Sequence, residues 1–173
     1  MSEMEVLGLN EHSNINTKTE DRVISFRLNQ ELIGIDIKKI IKITKKLDIT
    51  PIPKTKEHIL GVINLRGNIV PVVDLKKMLD LPHDKDKNQD FILVIDSELG
   101  NIGLIVDEIE GANTIIPEEI QPAPINSIGI DSKFITGVVM TGGEDSNEKH
   151  LLILLDIDKL FANEEKNPEE IKG

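Results

Sequence analysis

The sequence predicts a mainly β protein built from two copies of one small unit, each of about five short strands curled into a barrel and closed by a short helix. Three observations predict it. Ile, Leu and Val dominate the apolar residues, with four Phe and no Tyr or Trp, and β-branched side chains suit the pleated surface of a strand. The chain repeats itself once. Paired prolines and glycine-bearing turns cut the apolar runs into short lengths.

The repeat is read from landmarks. VISFRLNQELIGIDIKKIIKI (residues 23–43) has a partner in FILVIDSELGNIGLIVDEIEG (91–111), with Gly34 aligned to Gly103. At that offset Ile24 meets Leu93, Phe26 meets Ile95, Ile37 meets Val106 and Ile40 meets Ile109. Pro51 and Pro53 of TPIP echo Pro122 and Pro124 of QPAP. HILGVINLRGNIVPVVDLKKML (58–79) then aligns with FITGVVMTGGEDSNEKHLLILLDIDKLF (134–161), pairing Gly61 with Gly137 and Asp74 with Asp156. The second copy is longer in GGEDSNEKH, whose polar, glycine-rich composition suits an extended hairpin loop.

In the first copy, 23–28 and 32–37 alternate apolar and polar residues around a turn at Gln30-Glu31, a β-hairpin pattern. Ile37, Ile40, Ile41 and Ile43 fit either one helical turn or a third strand. Pro51 and Pro53 force an extended path. Residues 61–65 and 69–73 form a second hairpin around Arg66-Gly67-Asn68. Pro71 has no N–H, so its strand is expected at an edge or with that position turned outward. Asp74 before LKKML, and Asp156 before IDKLF, are placed to cap helices. Each copy spans about 65 to 70 residues, where a lone core is marginal, so the two are expected to pack together. Residues 1–20 and 162–173 read as mobile tails and HDKDKNQ (83–89) as a polar linker. The organisation expected is one domain over 21–161, with subdomains over about 21–82 and 90–161.

Composition excludes several functions. A net charge of −11 repels phosphate backbones and anionic membrane surfaces, and the scarcity of aromatics removes base-stacking platforms. No cysteine is present, so no disulfide or thiolate chemistry is possible. The N-terminal stretch has neither a basic nor an apolar region of a secretory signal. The longest apolar run, 151–155, is far too short to span a bilayer. A cytoplasmic protein without membrane insertion is the expectation.

Catalytic constellations are missing from the sequence. His12, His58, His83 and His150 have no metal-ligand spacing. Helix capping accounts for Asp74 and Asp156, and solvation at a strand end accounts for Asp107, Glu108 and Glu110. GxSxG, GxGxxG, GxxxxGK[ST] and calcium-loop spacings do not occur. No catalytic residue, cofactor or metal is therefore expected. The most distinctive loop is NLRGN, with Arg66 at a hairpin tip. It is either a solvated turn residue or a bidentate ligand for a carboxylate on an acidic partner.

From residue 23 to 161 the chain resembles the CheW family, the coupling proteins of bacterial chemotaxis. GVINLRGNIVPVVDL (61–75) is the most specific segment. GIDIKKI (34–40), IPKTKEHILGV (52–62), GLIVDEIEG (103–111), IQPAP (120–124), FITGV (134–138) and LLILLDIDKLF (151–161) support it. The resemblance implies two tandem five-stranded SH3-like barrels and no chemistry on the protein itself. It implies an adaptor linking methyl-accepting chemoreceptors to the regulatory domain of the histidine kinase CheA, in the cytoplasm but recruited to membrane-associated receptor arrays. It places receptor contacts at Ile40, Ile41, Lys42, Ile43, Gly61, Asn64 and Arg66, and kinase contacts at Arg66, Gly67, Ile130, Met140 and Thr141. Many relatives carry Glu where this chain has Lys42, which reverses a charge at the receptor face. Two other readings compete: a CheW-like regulator serving a receptor system outside chemotaxis, and a small-molecule-binding β domain with enzymatic activity.

Overall fold

The computed structural model describes residues 21–83, 88–124, 129–142 and 149–162. The tail expected over 1–20, that over 162–173 apart from Ala162, most of the 83–89 linker and most of the 142–149 loop lie outside these. Ten strands form two five-stranded sheets. They are β1 (Asp21–Leu28), β2 (Glu31–Asp36), β3 (Ile40–Lys45), β4 (Ile59–Leu65), β5 (Asn68–Asp74), β6 (Phe91–Ser97), β7 (Gly100–Val106), β8 (Glu108–Ile115), β9 (Ile135–Thr141) and β10 (His150–Leu155). One-turn helices α1 (Leu75–Met78) and α2 (Ile157–Leu160) follow β5 and β10. No helix among the described residues is long and apolar enough to cross a membrane.

The strand orders are β8-β1-β2-β10-β9 and β3-β6-β7-β5-β4. Advancing every label by five converts one order into the other, so the duplication is present in the fold. The division expected at the linker is not how the sheets divide. Each sheet takes the opening hairpin of one copy and the last three strands of the other. The crossovers β2 to β3 and β7 to β8 carry the chain between sheets. Parallel ladders then join each hairpin to the other copy's last strand, β2 to β10 and β7 to β5. Subdomains over 21–82 and 90–161 therefore correspond to the copies, not to the sheets.

Each sheet closes on itself. Beyond β3 the chain runs to β4 at the opposite edge, where Thr50 and Val62 exchange backbone hydrogen bonds of 2.8 and 2.9 Å. Gln121 and Val138 do the same in the other sheet, at 2.9 and 2.8 Å. The glycines singled out by the repeat sit at these closures. A Cβ on Gly61 would overlap the Thr50 carbonyl oxygen, and one on Gly137 would lie 2.9 Å from the Gln121 oxygen.

Three apolar clusters result. Ile63, Val70, Val72, Ile92, Val94 and Ile105 fill one barrel. Val23, Leu32, Ile115, Val139, Leu152 and Leu154 fill the other. The largest cluster lies between the barrels and takes the alternate residues of the same strands, among them Phe26, Ile33, Leu93, Ile95, Leu104, Ile153 and Leu155, with Ile157, Leu160 and Phe161 of the α2 region. The central strands are thus buried on both faces, which is why they read as unbroken apolar runs. Even Ser25, a polar position in the alternation of β1, is buried, its hydroxyl 2.7 Å from Asn113 Oδ1 and 3.1 Å from the Gly111 carbonyl.

Local signals translate as expected, with two refinements. Residues 37–39 form a 3-10 turn and β3 begins at Ile40, so both alternatives for this segment occur in succession. β5 is an interior strand; Pro71 pairs with Val62 of β4 but stands one residue before the ladder with β7, which begins at Val72, so its missing N–H is not asked for there. Asp74 and Asp156 cap their helices, their Oδ1 atoms accepting from Lys77 N–H at 3.3 Å and Lys159 N–H at 3.1 Å. Asp156→Ala is expected to cost about 1 kcal/mol and Asp156→Asn much less, measured as a shift of the urea midpoint at constant slope.

Candidate functional site

Four of the residues expected at receptor contacts, Ile40, Ile41, Lys42 and Ile43, lie on β3. Opposite β6, Ile40 pairs with Ile95 and Lys42 with Val94, which leaves Ile41 as the extra residue of a β-bulge. A bulge bends a strand and re-aims a side chain, and here Ile41 is 50% exposed and Ile43 38%. Ile40 is half-buried against the central core, and Lys42 is half-buried. The repeat supplies an internal comparison. Opposite β1, Phe26 pairs with Ile109 and Ser25 with Gly111, so Glu110 is the equivalent bulged residue of β8. Glu110 is satisfied by Arg27, whose Nε lies 3.1 Å from Oε2, and Ala112 stands where β3 has Ile43. The fold tolerates a polar bulge, so exposed isoleucines at this place in β3 are not a requirement of folding.

The second group sits on the β4–β5 hairpin. Leu65 pairs with Asn68, leaving the two-residue turn Arg66-Gly67. Both residues have positive φ, 56° and 88°, the conformation of a type I′ turn that matches the twist of its strands. Asn64 Oδ1 accepts the Gly67 N–H at 2.8 Å and braces the loop. Arg66 is exposed at the tip and ion-pairs with no described residue. Gly61 is buried at the barrel closure, so its part is to let two backbones meet. The Thr50–Val62 bridge places the chain leaving β3 beside β4, so both groups belong to one barrel.

The remaining residues expected at kinase contacts divide. Met140, 54% exposed, and the half-exposed Thr141 end β9 on the other barrel, at the repeat equivalents of Asn64 and Leu65. Ile130 does not join them. It is 4% exposed and belongs to the central core, so its side chain offers no surface to a partner. The loop context suggested exposure, but the chain before the 3-10 turn at Ser132–Phe134 folds inward over that core.

Two features escaped the sequence. The first is an apolar hollow of about 340 Å³ lined by Ile52, Ile59, Val62, Ile69, Leu99 and Phe161, with Ile69 62% exposed. Its signal was available in β5, where 69, 71 and 73 are apolar as well as 70 and 72. The repeat-related hollow on the other barrel includes Glu118, Glu119 and Gln121. The second is a buried ion pair. Asp107, read as a solvated strand-end acid, is 1% exposed, with Lys76 Nζ 2.9 Å from its Oδ1. Its Oδ2 accepts the Asn29 N–H at 2.8 Å. In the other half of the molecule Asp158 on α2, at the repeat position of Lys76, pairs with Lys39 on the crossover, one residue past the equivalent of Asp107, at 3.1 Å and exposed. The Asp158 carboxylate raises the Lys39 pKa above its ordinary value. Among the described residues, no three His, Asp or Glu side chains group as metal ligands.

Comparison with known proteins agrees with this geometry. The CheW-like domain family model matches residues 22–165. The chemotaxis protein CheW of Treponema pallidum is 33% identical over 148 residues, covering 83% of this chain and 84% of its own. That of Thermotoga maritima is 34% identical over 143 residues, covering 82% and 88%. The crystal structure of the scaffolding protein TtCheW from Thermoanaerobacter tengcongensis superposes with a TM-score of 0.72 at 31% identity, over 85% of this chain and 91% of that one.

Proposed function

Since the chain belongs to the CheW-like family, we propose that it is a chemotaxis adaptor coupling the cytoplasmic tips of chemoreceptors to the histidine kinase CheA, in cytoplasmic arrays at the membrane. It performs no reaction of its own. The observation that carries the receptor side is the bulged, outward-facing Ile41 with Ile43 on β3, where the repeat equivalent is a satisfied Glu110. A helical receptor tip can lay an apolar stripe on such a strip. Arg66, held at a type I′ turn and without an ion-pair partner among the described residues, suits a carboxylate on the kinase domain or receptor. Met140 and Thr141 offer the second barrel's contact with the kinase. The two barrels thus give one small rigid body separate surfaces for two partners.

The test is reconstitution. With purified kinase and receptor cytoplasmic fragments, adding the protein is expected to make kinase autophosphorylation receptor-dependent. Failure to bind either partner at micromolar concentration would refute the adaptor reading. Arg66→Ala is expected to weaken partner binding about tenfold, since an interfacial charge pair is worth about 1 to 2 kcal/mol. Its melting temperature should stay unchanged, because the side chain is exposed. Unaltered binding to both partners would remove Arg66 from the interface.

A further inference from the structure

β3 carries a charge pattern that the adaptor reading alone does not explain. Residues 38–46, KKIIKITKK, hold five lysines and no acid, in a chain whose net charge is −11. Lys38, Lys45 and Lys46 are exposed and Lys42 is half-buried. None of these four forms an ion pair with a described residue, whereas Lys39 is engaged by Asp158. Lys42 and Lys45 alternate with the exposed Ile41 and Ile43 along β3, with Lys38 just before the strand and Lys46 just after it. At the repeat-equivalent strand, β8, the exposed residues include Glu108 and Glu110. The same backbone element is basic and apolar in one barrel and acidic in the other. Folding imposes neither sign, since both versions pair with their neighbour strands through the same bulged register.

Like charges crowded on and beside one short strand, with no ion-pair partner among the described residues, repel one another, and a complementary surface relieves that repulsion. An apolar pair bordered by ammonium groups fits an apolar stripe bordered by carboxylates. We infer that the partner of β3 is an acidic amphipathic helix, and that its carboxylates, paired with Lys42, Lys45 and their neighbours, select which receptor this chain couples. The inference rests on the adaptor reading and narrows it: Ile41 and Ile43 supply contact area, and the lysines supply discrimination. Charge matching of this kind acts on encounter rate and on rejection of wrong partners. A receptor tip with basic residues along the same stripe is repelled.

The experiment measures binding of the full chain to hairpin fragments of the chemoreceptors of the same organism, and separately to the purified kinase. The variants are Lys42→Glu/Lys45→Glu on β3 and Lys133→Glu/Lys159→Glu on the other barrel, which change net charge equally. The first is expected to weaken receptor-fragment binding at least about tenfold, the second by less than about twofold, with kinase binding unaltered in both. Raising ionic strength from roughly 0.05 to 0.5 M is expected to weaken wild-type receptor binding about tenfold, as the screening length falls from roughly 14 Å to roughly 4 Å over that range. Introducing lysines in place of the fragment's acidic residues should restore binding to Lys42→Glu/Lys45→Glu. If wild type binds receptor fragments and the β3 variant binds equally well, the inference is wrong and the adaptor reading stands. Equal weakening by both variants would also overturn it, showing an effect of net charge. If β3 substitutions abolish self-association seen by sedimentation but spare receptor binding, the strip belongs to a second copy of the chain. If wild type binds no receptor fragment, the adaptor reading fails and this inference with it.

Discussion

Asp107→Ala is expected to destabilise the protein by about 3 to 5 kcal/mol, the cost of removing one partner from a buried ion pair. For a chain of this size that is a fall in melting temperature on the order of 10 °C. The substitution leaves the Lys76 ammonium, 2% exposed, without its counter-charge. It also leaves the Asn29 N–H without the acceptor that now lies 2.8 Å away. The consequence reaches beyond one contact. Lys76 stands on α1, Asp107 on the crossover between β7 and β8, and Asn29 in the β1–β2 turn, so the pair ties together elements of both barrels. Replacing both charges, as Lys76→Met/Asp107→Asn, is expected to return stability to within about 1 kcal/mol of wild type, because a neutral, packed pair avoids the desolvation of two ions. The asparagine keeps an acceptor for Asn29. If the double variant is as unstable as Asp107→Ala, charge is not the cause. The exposed counterpart makes the contrast: Asp158→Ala, breaking the pair with Lys39, should cost less than about 1 kcal/mol. Chemical denaturation of the four proteins settles the comparison.

Gly61→Ala is the second large effect expected, about 3 kcal/mol or more. The backbone there has φ of +148°, which L side chains rarely adopt, and the added Cβ would lie 2.7 Å from the Thr50 carbonyl carbon as well as overlapping its oxygen. Both obstacles are backbone, and Thr50 forms the bridge that closes the barrel, so relief requires opening the pair of hydrogen bonds with Val62. Gly137→Ala, at the equivalent closure, is expected to cost less. Its nearest obstacle is the Ile120 Cγ2 methyl, which can rotate away, and the carbonyl oxygen of Gln121 is 2.9 Å off. Melting temperatures of the two variants should therefore rank Gly61→Ala below Gly137→Ala. The reverse ranking would mean that the Gly61 closure yields more easily than its geometry implies.

Much of this was legible in the residues. Gly61 and Gly137, Pro51 and Pro122, Asp74 and Asp156 mark the repeat because each answers a local demand: a backbone approach, a missing donor, a free helix N–H. The Arg66-Gly67 turn was visible for the same reason, since a two-residue hairpin needs its own chemistry. The exposed strip of β3 was half visible. Its isoleucines read as a helical turn or a strand, and only the bulge at Ile41 decides which of them faces outward. Ile130 was misplaced because burial of a loop residue depends on what packs over it.

The sequence by itself determined a twice-repeated unit of about five short strands, the caps of its two helices and the turns of its hairpins, since dihedral preference, side-chain period and capping act over a few residues. The tertiary structure alone decided which strands pair. β1 and β6 open their copies with the same local signal, and nothing within either hairpin says that each joins the other copy's last strands. That exchange creates the core between the barrels, brings Lys76 to Asp107, and buries both faces of the central strands. Strand partners are set by the total apolar area that the whole chain can remove from water, a sum no short window of residues contains.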